Sequence, residues 1–171
     1  MEIPIGEYKL RSWSLADKAA VARYANNRKI WRNLREVFPY PYTQDDAARY
    51  LYTVVDRMPE THFAIATPHE AIGAIALVLG QDVAAKSAEI GYWLGEAYWG
   101  RGIATAAVRA LVEYGFGTFG IVRIWAEVFE WNPASIRVLE KAGFAYEARI
   151  RKSVYKDGQV IDKVIYALIR E

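Results

Sequence analysis

Cysteine is absent from the 171-residue chain, which excludes disulfides, thiolate metal sites and a thiol nucleophile. Histidine is scarce: His62 and His69 are the only two, too few to suggest a zinc centre. No apolar stretch is long enough to cross a bilayer. The start, Met1-Glu2-Ile3-Pro4, lacks the basic region and apolar run of a secretory signal. The expectation is a soluble, cytoplasmic protein with no metal and no membrane partner. Nor does one charge dominate. Twenty-two basic residues face 20 acidic ones, a net charge of +2, without the basic field that nucleic acid binding requires. Arg28, Lys29, Arg32 and Arg35 recur at helical spacing, and a solvated helix face is a plainer reading of them than an RNA contact. Internal repeats and linkers are missing too, so residues 1–171 read as one domain with a substantial core.

Aromatic residues are plentiful, with six tryptophans and twelve tyrosines, a surplus suited to a core, a pocket or an interface. Tyr8-Lys9-Leu10-Arg11-Ser12-Trp13 alternates as a strand does. Ser14-Leu15-Ala16-Asp17 and Thr43-Gln44-Asp45-Asp46 are capping boxes, each predicting a helix, the second running to about Arg57. Between them a helix passes through Ile30, Trp31 and Leu34 before Phe38-Pro39-Tyr40-Pro41-Tyr42 breaks the pattern twice. That aromatic segment either lines a substrate groove or plugs the core.

From Thr61 the period becomes that of strands: 62–67, 71–79 and 87–94, separated by turns at 68–70 and 81–86. An amphipathic helix follows with Ala104, Ala107, Val108, Leu111 and Val112 on one stripe. Residues 121–129 are a β-branched and aromatic strand. Asn132-Pro133 caps a short helix that Gly143 ends. Lys156-Asp157-Gly158-Gln159 is a type I′ hairpin signal. The order is α+β.

The chain is organised around Ala88 to Ala107. A strand enters a loop with glycines at 95, 100 and 102, and the loop opens into a helix. A helix start offers unpaired N–H groups and the positive end of the macrodipole, and glycines let an anion approach the backbone. A phosphate or pyrophosphate is the natural guest. Gly102-Ile103-Ala104 lacks the lysine and hydroxyl of a Walker loop, and a dinucleotide loop belongs near a chain start.

Trp99-Gly100-Arg101-Gly102-Ile103-Ala104 resembles the acyl-CoA pyrophosphate loop of the GNAT acetyltransferases, Gln/Arg-x-x-Gly-x-Gly/Ala. Gly102 and Ala104 match. Trp99 in place of the opening Gln/Arg is similar to the RimJ/RimL-like branch, which acetylates protein N-termini. Leu10-Arg11-Ser12-Trp13, the Phe38 to Thr43 segment, Glu89-Ile90-Gly91-Tyr92-Trp93-Leu94, Asn132-Pro133-Ala134-Ser135, Val138 to Phe144 and Gly158-x-x-x-Asp162-x-x-x-Tyr166 resemble blocks of that branch in the same order.

The resemblance implies a GNAT fold: a mixed, mostly antiparallel sheet of six to seven strands, splayed at the acyl-CoA site and flanked by helices on both faces. It implies acetyl-CoA as co-substrate and an amine acceptor, the α-amino group of a ribosomal or other protein N-terminus beginning with Ala or Ser, and it is compatible with a homodimer. The alternatives are a small amine, or a non-catalytic acyl-CoA sensor. On the loop, Trp99, Gly100, Arg101, Gly102, Ile103, Ala104 and Thr105 are the implied cofactor contacts, the backbone of Arg101, Gly102, Ala104 and Thr105 meeting the pyrophosphate. Backbone groups of Tyr92, Trp93 and Leu94 would pair with the pantetheine arm. Asn132 either touches the cofactor or caps its helix. Glu89 stands where some GNAT enzymes place a general base, and an exposed strand residue or an ion pair would look the same. Many members carry a tyrosine acid four residues before the helix-ending glycine; here that position is Leu139, which keeps the sensor reading open. The branch's proposed substitute, a serine three residues after the asparagine, corresponds to Ser135, a cofactor contact and thiolate acid or simply a first-turn serine. Phe38, Tyr40, Tyr42, Tyr155, Asp162 and Tyr166 are the candidate acceptor contacts.

Overall fold

Two short polar side chains start the helices of the first half. Ser14 accepts from the Ala16 amide, and Asp17 returns a bond to the Ser14 N–H at 3.0 Å. A 3₁₀ turn, Leu15–Asp17, therefore leads into α1, Lys18–Ala25. Thr43 and Asp46 form the second reciprocal cap, opening α3, Gln44–Val54. Between them lies the four-residue α2, Arg28–Trp31, capped by Asn27. The computed structural model describes every residue, Met1–Glu171.

The strands are β1 (Glu2–Ile5), β2 (Tyr8–Arg11), β3 (His62–Ala66), β4 (Ala71–Leu79), β5 (Ser87–Leu94), β6 (Arg123–Phe129), β7 (Ala145–Lys156) and β8 (Gln159–Ile169). They form one sheet in the order β1-β2-β3-β4-β5-β6-β8-β7. Two longer helices complete the chain, α4 (Ile103–Phe119) and α5 (Pro133–Lys141). The sheet has eight strands, not six or seven, and β1 is the addition. Glu2-Ile3-Pro4-Ile5 alternates in burial and pairs antiparallel with β2, turning at Gly6. A proline is tolerated there because β1 is the sheet edge.

By contacts the chain divides into two compact units, Met1–Ala76 with Tyr92–Ala107, and Leu77–Gly91 with Val108–Glu171. In the first, Trp13, Val21, Ala25, Tyr42, Leu51 and Val54 are among the buried residues of one apolar cluster. Arg11 reaches the buried Asp17 with two bonds of 2.9 and 2.8 Å, which pins β2 to the start of α1. In the second, Leu77, Leu111, Ile124 and Leu139 are fully buried. β6 runs parallel to β5, Ser87, Ala88 and Glu89 facing Arg123, Ile124 and Trp125, while its pairing with β8 continues to Phe129 opposite Lys163. The register with β5 thus covers only its first three residues. The β7–β8 hairpin turns through Asp157 and Gly158 with φ of 52° and 74°, as type I′ requires.

Candidate functional site

The glycine turn belongs to the first unit and is fixed at both ends. Gly95 donates to the Ile72 carbonyl at 2.8 Å. A Cβ on Gly95 would lie 2.8 Å from the Tyr24 ring, so packing demands glycine there. Next comes a 3₁₀ turn, Glu96–Tyr98. The Glu96 carboxylate accepts from Asn27 Nδ2 at 2.9 Å and Lys29 Nζ at 2.8 Å, and Lys29, with Asn27, holds its pKa below the ordinary value. The Trp99 indole N–H then donates back to the Leu94 carbonyl at 2.7 Å, closing the loop onto the end of β5.

Gly100 and Gly102 have φ of +76° and +77°, and nothing lies within 4 Å of where a Cβ would stand on either. Backbone sign requires glycine at both, and the space before both is open. The Gly102 carbonyl accepts the first helical bond of α4, from Ala106 N–H at 3.1 Å. The amides of Ile103, Ala104 and Thr105 therefore have no carbonyl one turn behind them. Ile103 and Thr105 are buried, at 3% and 9% exposure, so the helix start is anchored by its side chains while its amides face forward. This arrangement fits an anion: aligned N–H donors, the positive helix end and no Cβ in the way. Arg101, between the two glycines, is exposed.

The end of β5 is built as tightly as the turn is open. A Cβ on Gly73 would stand 2.4 Å from the Trp93 carbonyl oxygen and 3.1 Å from Leu94 Cα. Trp93 packs edge-on to Phe38 at 5.9 Å, and Phe38 lies 5.0 Å from Tyr42. Of the aromatic segment between α2 and α3, Tyr42 is buried, Phe38 is half-buried against the core cluster, and Tyr40 is exposed. Tyr42 is 7% exposed, part of the core cluster, and burial, then the nearby Asp46 charge, pushes its phenol to about 12. Tyr40, 45% exposed beside Trp31, keeps an open ring.

In the second unit, Glu89 is half-buried on β5 opposite Trp125. Asn132 Oδ1 accepts from the Ser135 amide at 3.3 Å, so Asn132 is the cap of α5 and its amide nitrogen can still donate elsewhere. Ser135 is half-buried in the first turn. Leu139 is fully buried; that position packs the core. Of the hairpin residues, Tyr155 is 73% exposed. Tyr166 is buried against Tyr146 at 5.9 Å, and burial, with Glu140, raises its pKa. Asp162 is tied to its own hairpin. It accepts from the Lys152 amide at 2.8 Å and from Arg149 at 2.9 Å, which lower its pKa in that order. Lys152 has φ of 51° inside the β7 register shift between Ile150 and Val154. The carboxylate braces that bulge.

Three contributors escaped the sequence reading: Gly73, Glu96 and Tyr98. Only Gly73 carried a signal, a glycine inside a strand pattern marking close backbone approach.

A family model described as acetyltransferase (GNAT) domain matches residues 8–145. The chain belongs to the GNAT acetyltransferase family. It is 39% identical over 117 residues to the probable N-acetyltransferase YjcK and 38% identical over 85 residues to the uncharacterized N-acetyltransferase YoaA, both of Bacillus subtilis. These matches take in 67% and 50% of this GNAT chain, and span only 65% and 48% of the relatives' own lengths. Among solved structures, RimL, a ribosomal L7/L12 α-N-protein acetyltransferase in complex with coenzyme A, superposes with a TM-score of 0.88 at 23% identity, over 99% of this chain and 98% of that one. The likeness to RimL is one of fold.

Proposed function

We propose that this GNAT chain is an acetyl-CoA-dependent N-acetyltransferase whose acceptor is the α-amino group of a protein or peptide N-terminus of the Ala or Ser type. The observation that carries the donor half is the turn Gly100–Thr105, with two left-handed glycines, open space before both and three forward-facing amides. Acetyl-CoA supplies an acetyl thioester. Its phosphates would be held by the amides of Gly102 to Thr105 and by the Arg101 charge, with Tyr92, Trp93 and Leu94 offering backbone groups to the pantetheine arm.

Amide formation requires an amine that has lost its proton and a leaving sulfur that gains one. Glu89, half-buried on β5, is the proposed acceptor of the ammonium proton. Ser135 is the proposed donor to the departing thiolate, and the Asn132 cap fixes the backbone beneath it. The likeness in fold to RimL favours an N-terminal peptide as acceptor. Tyr40 and Tyr155, exposed aromatic rings, are the proposed acceptor contacts, with Phe38 and Tyr166 as packed support.

Thiol release from acetyl-CoA, followed with a disulfide reagent, tests the assignment against peptides beginning with Ala or Ser, free amino acids and polyamines. With no cysteine in the chain, the protein adds no background. Release with the peptides alone is expected. Release with small amines alone would move the acceptor to a metabolite or drug, and silence with every acceptor would favour an acyl-CoA sensor.

A further inference from the structure

Arg101 has no carboxylate partner, unlike six other arginines of this chain. Arg11, Arg23, Arg49, Arg123, Arg149 and Arg170 all pair with carboxylates. The Arg101 guanidinium instead stands over the Tyr98 ring, its central carbon 5.3 Å from the centroid. The difference matters for an anion site. A carboxylate would hold the side chain but cancel its charge and compete with an incoming phosphate. An aromatic face restrains the guanidinium and leaves its charge available.

The ring is itself held. Tyr24 meets it edge-on at 5.9 Å and Tyr8 at 6.3 Å. Tyr24 is fixed in turn: its hydroxyl donates to Glu70 at 2.6 Å, and Gly95 lies flush against its ring. A line of support thus runs from β2 and α1 through Tyr98 to the one cation set between the two left-handed glycines.

We infer that Tyr98 is a positioning residue for the anion-binding turn, restraining Arg101 by its ring face while keeping the guanidinium charged and unpaired by any carboxylate. This rests on the reading that the turn takes the phosphates of CoA. Tyr98 touches neither the acetyl group nor the acceptor; it acts through Arg101 on affinity for CoA, and leaves turnover at saturating acetyl-CoA unchanged.

The test compares phenylalanine with pentafluorophenylalanine at position 98, two rings of similar shape and opposite quadrupole, in the wild-type and Arg101→Ala backgrounds. CoA affinity is read by calorimetry and the KM for acetyl-CoA separately from kcat. With Arg101 present, fluorination is expected to weaken CoA about twofold to fivefold, the range for an exposed cation–π contact, and to raise KM alone. With Arg101→Ala the two rings bind CoA equally. Equal affinity with Arg101 present, or a fluorination effect that persists without Arg101, would overturn the inference. Failure of the unmodified protein to bind CoA at all would instead overturn the assignment of the turn, and this inference with it.

Discussion

Replacing Gly73 by alanine adds one methyl group to β4 and is expected to damage both the fold and the donor site. The added Cβ would stand 2.4 Å from the Trp93 carbonyl oxygen, 3.1 Å from Leu94 Cα and 3.2 Å from Leu94 Cδ1. The nearest two are backbone atoms, so rotamer change cannot relieve them. The end of β5 has to move by several tenths of an ångström, and the Trp99 indole bond to the Leu94 carbonyl moves with it. Overpacking in a filled core costs about 1–3 kcal/mol, and contact with backbone puts this case near the upper end. For a chain of this size each kcal/mol lowers Tm by about 2–4 °C, so a loss of about 6–12 °C is expected. Gly91→Ala is the control, on a β5 position where a Cβ would meet nothing within 4 Å. It should melt at or slightly above the wild-type temperature, because alanine orders at lower entropic cost than glycine. Thermal unfolding followed by circular dichroism reads both. Gly73→Ala melting within about 2 °C of wild type would refute the packing argument.

Three further outcomes follow from the same geometry. Glu89→Gln should lower turnover by about 10²-fold or more and flatten the acid limb of its pH profile, the range for a lost general base; an unaltered profile would remove Glu89 from the chemistry. Ser135→Ala leaves the backbone N–H that bonds Asn132 intact and should lower kcat with little effect on CoA affinity, while full turnover would reduce Ser135 to a first-turn residue. Tyr42, pushed from 10.0 to about 12, keeps its proton longer in the folded chain than in the unfolded one, so it contributes stability below pH 10 that is lost as pH rises through 12. Tyr42→Phe should therefore show a shallower fall in urea midpoint over that interval, with Tyr24, also raised to about 12, supplying part of the slope that remains.

What the sequence made legible are features governed by near neighbours along the chain. The ends of β4 and β5 coincide with their apolar runs, and the capping boxes at Ser14 and Thr43 form as their spacing requires. Asp157-Gly158 makes its turn for the same reason. α3 stops at Val54 and not near Arg57, because Val55 is extended and Asp56 adopts a φ of 58°. Periodicity does not report that turn. The candidate site divides in the same way. The glycines and helix start of the turn were readable because their conformational demands are intrinsic. The Trp99 bond to Leu94, the stacking of Arg101 on Tyr98 and the capture of Asp162 by Arg149 and Lys152 depend on where the backbone brings distant groups. Tyr40 and Tyr42 differ by two positions, yet one ring is open and the other belongs to the core; only packing against Phe38 and α3 decides that.

Calorimetric titration of CoA into the wild-type protein and into Gly102→Glu reads directly whether the phosphates of CoA lie on this turn. The glutamate side chain would enter the open space before a left-handed residue and set a negative charge among the forward-facing amides of α4. CoA should bind the wild-type protein and fail to bind a Gly102→Glu variant that still unfolds cooperatively. Equal CoA affinity in the two proteins would contradict the placement of the phosphates on this turn.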